Sequence, residues 1–178
     1  MKPDHLILLF IVPLLVVGTN ACEKLDKDNL YDQSIYFEYY SINQAWGQQY
    51  SHWIIDNQGN VLGHHKTDSL IWIDENNINE TASAFDSVIY KIELSELRSY
   101  VDLIPIASKG QISCSEAHRA DFGGIVYNAF YNDKTILLSS MSDIEDCYNL
   151  DPRAVYIADW LKSIQNNTSS DKYFPAER

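Results

Sequence analysis

Residues 151–164 constrain the fold more than any other stretch of this chain. Asp151 is placed to cap a helix, and Pro152 sits at the first helical position, where its missing N–H costs nothing. Ala154, Ile157, Ala158, Leu161 and Ile164 then recur with helical spacing, and Trp160 broadens the stripe. A helix that is apolar on one side only needs a flat apolar surface to cover. The segments before it have the composition to supply a sheet.

Those segments fall into two hairpin patterns. Residues 35–40 (Ile-Tyr-Phe-Glu-Tyr-Tyr) are aromatic and β-branched, as strands favour. Residues 50–56 form a second strand, with Trp53 and Ile55 on one face and His52 and Ile54 on the other. Asn57-Gln58-Gly59-Asn60 is a turn, and residues 61–66 return from it. Residues 124–131, the turn Asn132-Asp133 and residues 135–141 make another hairpin. Between the two, Ser95 can cap a helix presenting Leu97, Tyr100, Val101 and Ile104, which Pro105 kinks or ends. Residues 70–73 fit a short strand or a loop edge, and residues 76–84 carry no clear pattern. The expected fold is therefore α+β: an antiparallel sheet from two hairpins with about two helices packed on it, in the order hairpin, helix, hairpin, helix.

The chain starts differently. Met1 and Lys2 precede the apolar run 6–17, then the small and polar Gly18-Thr19-Asn20-Ala21, then Cys22. The run is shorter than the roughly 20 residues a membrane helix needs and has the length of a signal-peptide core. This arrangement resembles the signal peptide of a bacterial lipoprotein, of the kind found in Bacteroidota, with Cys22 as the lipidated residue. Thr19 and Asn20 depart from the usual lipobox, and Ala21 fits it. The charged stretch Glu23-Lys24-Leu25-Asp26-Lys27-Asp28 resembles the export tags of surface lipoproteins and equally suits a solvated linker. Overall character is similar to small uncharacterised envelope lipoproteins.

The resemblance implies removal of residues 1–21, a lipidated tether at 22–33, one domain at 34–165 and a flexible tail at 166–178. It implies a membrane partner through acyl chains, at the outer membrane, in the periplasm or at the surface. It also implies an oxidising compartment. With Cys22 lipidated, Cys114 and Cys147 remain as an even pair and are expected to form a disulfide. Closing a loop of about 34 residues would contribute on the order of 4 kcal/mol in the chain-entropy model. The alternative is a thiol nucleophile at Cys114 beside His118.

Lys2 and Asp4 cancel, so the mature part keeps the net charge of −12. Spread along the chain, that excess argues against nucleic acid and anionic headgroups as partners, because both need a basic footprint.

Three candidate sites emerge. His52, His64 and His65 lie on the first hairpin. Pairing Asp56 with Val61 sets His52 opposite His65, and pairing Asp56 with Asn60 sets it opposite His64. Either brings two imidazoles within about 5 Å at Cβ, a start towards a zinc or copper site, with Asp56 as a further ligand. The alternative is an ordinary polar strand face. The aromatics Tyr36, Tyr39, Tyr40, Trp46 and Trp53 could form a recognition surface for a protein or glycan, or half of them could fill the core. Residues 114–121, with Cys114, His118 and Asp121, hold the residue types of acid–base chemistry. No G-x-S-x-G, H-E-x-x-H or phosphate-cradling glycine loop is present, so no catalytic residue and no cofactor is expected. Asp68-Ser69-Leu70 and Asp86-Ser87-Val88 resemble a short O-glycosylation pattern. The functional expectation is a non-enzymatic binding, adaptor or inhibitor module. A small hydrolase or metal-binding protein is the alternative.

Overall fold

The structure, a computed structural model, describes residues 33–43, 49–64, 71–73, 78–120 and 123–168. Cys22, the tether up to residue 32, Trp46, His65, Asp68-Ser69-Leu70 and Asp121 lie outside these residues.

In chain order the elements are β1 (Ile35–Asn43), β2 (Gln49–Asp56), β3 (Asn60–Gly63), α1 (Ile78–Thr81), a 3-10 turn (Ala82–Ala84) and β4 (Ser87–Lys91). There follow α2 (Leu94–Val101), α3 (Ile104–Ala107), β5 (Ile112–Glu116), β6 (Gly124–Tyr131), β7 (Lys134–Ser142), β8 (Glu145–Asn149) and α4 (Pro152–Thr168). The class is α+β, as expected. The two expected hairpins are not separate units, however. They belong to one eight-stranded antiparallel sheet, ordered β4-β3-β2-β1-β6-β7-β8-β5. The meanders β1–β4 and β6–β8 join through β1 and β6 at the centre. The chain passes from the β4 edge to the β5 edge by way of α2 and α3.

Three strands escape the sequence pattern for a physical reason. β4 and β5 are sheet edges, and β5 (Ile-Ser-Cys-Ser-Glu) is exposed along its whole length. With no buried face it has no need to alternate. β8 (Glu-Asp-Cys-Tyr-Asn) is polar and is held by neighbours on both sides.

The sheet buries both faces, differently. Phe37, Tyr39, Trp53, Ile55, Tyr127 and Ala129 meet Leu97, Val101, Ile104, Ile157, Leu161 and Ile164 from the helices. On the other face Ile35, Ile54 and Phe130 meet Ile78 and Phe85, with Ile71 and Ile73 packed alongside. Three irregularities in pairing fall at Tyr36, Ile89 and Leu138. Each adds a residue to the helix-side core. A bulge sets two residues against one, so it breaks strict alternation and sharpens the local twist.

The helices follow local chemistry closely. Asp151 Oδ1 accepts the Arg153 N–H at 2.8 Å, as a capping aspartate should. Ala154, Ile157, Ala158, Leu161 and Ile164 are all buried. The helix runs to Thr168, three residues into the stretch whose polarity suggested a tail; Thr168 is itself buried. Ser95 is not the cap of α2, because the helix starts at Leu94 with Glu93 in the capping position. Pro105 falls in the first turn of α3, so the helix ends and restarts rather than kinking. Asn132 and Asp133 both have positive φ, as a two-residue hairpin turn of the expected kind requires. No described helix is long and apolar enough to cross a membrane.

Candidate functional site

A cleft lies between the β2–β3 turn and α2. Its volume is about 570 Å³, and Tyr36, Asn57, Gln58, Leu94, Leu97, Arg98 and Val101 line it. That size is within the range of roughly 300–1,000 Å³ typical of small-ligand sites.

One wall is a rigid turn. Asp56 Oδ1 accepts the N–H groups of Gln58 at 2.9 Å and Asn60 at 2.7 Å. Its Oδ2 accepts the Asn60 amide at 2.7 Å. Lys91 Nζ donates to the Gln58 carbonyl at 2.6 Å and to Asn60 Oδ1 at 2.8 Å, tying the turn to β4. Gly59 has φ of +78°, and a Cβ there would stand 2.5 Å from the Ile92 carbonyl oxygen, so only glycine lets the turn lie this close. Its own carbonyl accepts the Ile92 N–H at 2.8 Å.

The other wall is one face of α2. Leu94, Leu97, Arg98 and Val101 are spaced i, i+3, i+4, i+7, so they share that face. Leu97 and Val101 are buried at its base, while Leu94 and Arg98 are exposed at the rim. The Arg98 guanidinium has no acidic partner among the described residues. In a chain of net charge −12 this leaves a local donor-rich spot. Asn57 and Gln58 add amide groups, and Asn57 Oδ1 is already engaged by Gln58 Nε2 at 3.2 Å. A ligand here meets hydrogen-bond donors above and apolar side chains below.

A second polar constellation is sealed on the opposite face. Glu38, His52 and Asn128 are all buried. One oxygen of Glu38 lies 2.9 Å from His52 Nε2, and the other accepts the Asn128 amide at 2.8 Å. Neighbouring strands supply the three residues: Glu38 sits opposite Asn128, and Tyr40 opposite His52. Phe85 packs edge-on against His52 at 4.7 Å between ring centres, and Tyr40 lies at 6.0 Å. Burial, and then the nearby Glu38 charge, raise the Tyr40 pKa, so its hydroxyl stays protonated. His52 Nδ1 is buried without a partner among the described residues, an omission that ordinarily costs about 1–3 kcal/mol.

On the helix side, Gln165 Nε2 donates to the Tyr39 hydroxyl at 2.9 Å, and the Tyr127 hydroxyl donates to Gln165 Oε1. Burial raises the pKa of both tyrosines. Nearby, Tyr100 stacks on Trp160 at 4.0 Å and on Tyr156 at 5.2 Å. Tyr100 is pushed up to about 12, first by burial and then by the Tyr156 hydroxyl.

The candidates read from sequence are dispersed. His52 does face His64, since Ile54 pairs with Leu62 and the His64 N–H donates to the His52 carbonyl at 3.2 Å. The Nε2 of His52 is turned to Glu38, and no cluster of three or more ligand side chains forms around the pair among the described residues. Tyr36, Tyr39 and Trp53 are core residues on strand faces turned to the helices, so they form no exposed aromatic patch, and of the three Tyr36 alone is among the residues that line the cleft. Tyr40 is only partly buried and stacks edge-on with the exposed Trp72 at 5.7 Å. Cys114 and Cys147 sit directly opposite each other on β5 and β8 and are joined in a disulfide. That bridge removes Cys114 as a thiol nucleophile, and His118 lies exposed beyond it.

Sequence reasoning missed the cleft. In the sequence Asn57 and Gln58 read only as turn residues, and Leu97 and Val101 only as a core stripe. The i+4 step from Leu94 to Arg98 was the available clue, but nothing local shows that the turn faces it. The chain matches no known protein-family model, and no curated protein matches it.

Proposed function

We propose that this chain is a cell-envelope lipoprotein, anchored through acyl chains on Cys22, whose α+β domain is a non-enzymatic binding module. The anchor rests on the sequence: Lys2, the apolar run 6–17 and the cysteine that closes it. The module rests on one observation, the cleft between the β2–β3 turn and α2. Its lining pairs amides and an acid-free guanidinium with an apolar floor and, among the described residues, contains no Ser, Cys, His, Asp or Glu; its one hydroxyl belongs to the buried Tyr36. Such a lining holds a ligand without supplying a nucleophile or a carboxylate base. The ligand it suits is a small molecule bearing a carboxylate on an apolar or ring-shaped body. Arg98 grips the carboxylate through paired N–H donors, and Leu94, Leu97 and Val101 cover the body.

Calorimetric titration of the full-length protein with uronic acids and N-acyl amino acids tests the cleft. Binding that weakens at least tenfold in Arg98→Ala, with an unchanged thermal midpoint, supports the reading. Absence of binding across both sets, or binding indifferent to Arg98, overturns it. For the anchor, Cys22→Ala is expected to abolish labelled-palmitate incorporation and release the protein from membranes; retained label would refute lipidation at Cys22.

A further inference from the structure

We propose that His52 and His64 form a two-imidazole seat for a closed-shell monovalent cation of the Cu⁺ type, with buried Glu38 as its counter-charge. The site is separate from the cleft and stands independently of the binding-module reading.

The two residues stand opposite each other, His52 on β2 and His64 just past the end of β3, joined by the His64 N–H to His52 carbonyl bond of 3.2 Å. Each ring has one nitrogen on an oxygen that only accepts. Glu38 Oε1 lies 2.9 Å from His52 Nε2, and the Ala84 carbonyl oxygen lies 3.3 Å from His64 Nδ1. A neutral imidazole carries one N–H and one lone pair. A neutral ring held in this way has its proton on the nitrogen facing the oxygen and its lone pair on the other. Those other nitrogens, His52 Nδ1 and His64 Nε2, are both buried and have no hydrogen-bond partner among the described residues. Metal-bound histidines commonly show this arrangement, with the outer nitrogen held by a carboxylate or carbonyl and the inner one bare.

Charge and ligand count select the ion. Glu38 is a buried carboxylate whose neighbours within hydrogen-bond reach are an imidazole and an amide, and a buried charge calls for compensation. One positive charge on the far side of His52 supplies it. Zinc asks for three or four protein ligands, and no third donor converges on the two nitrogens among the described residues. Cu⁺, a d¹⁰ ion, is satisfied by two ligands in line and accepts imidazole. Phe85 packs on both rings, at 4.7 Å and 5.9 Å, and keeps water from competing.

The test is anaerobic titration of the full-length protein with Cu⁺ against a chromogenic Cu⁺ chelator. One ion per chain is expected. His64→Gln should weaken binding at least tenfold, and the exposed His118→Gln should leave it unchanged. In ¹⁵N-histidine spectra of the unaltered protein, the Nδ1 signal of His52 and the Nε2 signal of His64 should move on addition of Cu⁺, which reads the site even if a His52 variant fails to fold. Absence of stoichiometric Cu⁺ binding, binding that survives His64→Gln, or Zn²⁺ bound in preference to Cu⁺ would each overturn the proposal.

Discussion

The two faces of one sheet solve different problems with alternate residues of the same strands. On β1, Phe37 and Tyr39 enter the helix-side core, while Glu38 and Tyr40 point to the opposite side. On β2, Trp53 and Ile55 join the first group, and His52 and Ile54 the second. The helix side is broad and apolar, and three bulges feed additional side chains into it. The other side is narrower and has a polar triad, Glu38–His52–Asn128, at its heart. Burial alone therefore does not distinguish the faces. Their chemistry does: the helix side is held chiefly by area removed from water, while the other side adds to its apolar cluster a set of complementary hydrogen bonds.

The sharpest way to break that contrast is to empty each face in turn. Trp53 is 1% exposed and stacks on Tyr39 at 5.1 Å. Trp53→Ala should cost about 4 kcal/mol, the usual cost of emptying a large aromatic site, read by urea denaturation. Glu38→Ala should cost about 3 kcal/mol, because it strands His52 and Asn128 without their shared acceptor. Replacing Glu38, His52 and Asn128 together by leucine should recover most of that loss. If the triple variant is no better than Glu38→Ala, the triad is not the interdependent unit described above.

Smaller effects are expected at the exposed β5 end of the sheet. The Cys114–Cys147 bridge ties an edge strand with little buried area of its own. Cys114→Ser with Cys147→Ser should lower stability by about 2–3 kcal/mol, somewhat below the loop-entropy figure because the β5–β8 ladder remains. Local hydrogen exchange should rise first in β5.

The smallest effect is a pH dependence. Arg119 donates to both oxygens of Asp146, at 2.6 and 2.5 Å. Those hydrogen bonds are the main reason that the Asp146 carboxyl titrates below its ordinary value. Its folded pKa lies under its unfolded one, so its contribution to stability is fully present above about pH 4. That contribution fades as the pH falls through the lowered folded value. Arg119→Met should therefore reduce the thermal midpoint slightly at pH 7, and the difference from wild type should close in stronger acid. A difference that persists unchanged at low pH would assign the effect to packing of the Arg119 stem.

Local signals were legible wherever one element carries its own reason. Asp151 with Pro152, the buried stripe of α4, the Asn132-Asp133 turn and the alternation of residues 52–55 all appear in the structure as read. Misreadings occur where a neighbour decides. β5 and β8 are strands because they lie beside β7 and each other, although their composition is polar. Tyr36 was ambiguous because a bulge turns it, against alternation, into the core. Arg98 became part of a site only when a turn some forty residues earlier folded across from it.

By itself, then, the sequence determined the class of the fold, the start of the last helix, the two hairpin turns, the pairing of Cys114 with Cys147 and the facing of His52 by one of two histidines. These follow from spacing of a few residues, where backbone geometry leaves few choices. Tertiary structure alone decided that two hairpins become one eight-stranded sheet, that His64 rather than His65 faces His52, that most of the aromatics are core, and that Arg98 meets the β2–β3 turn. Each of these depends on contacts between segments distant in the chain or on a one-residue register. A shift of one residue in a strand reverses every face, and short-range pattern does not carry the energy that selects it.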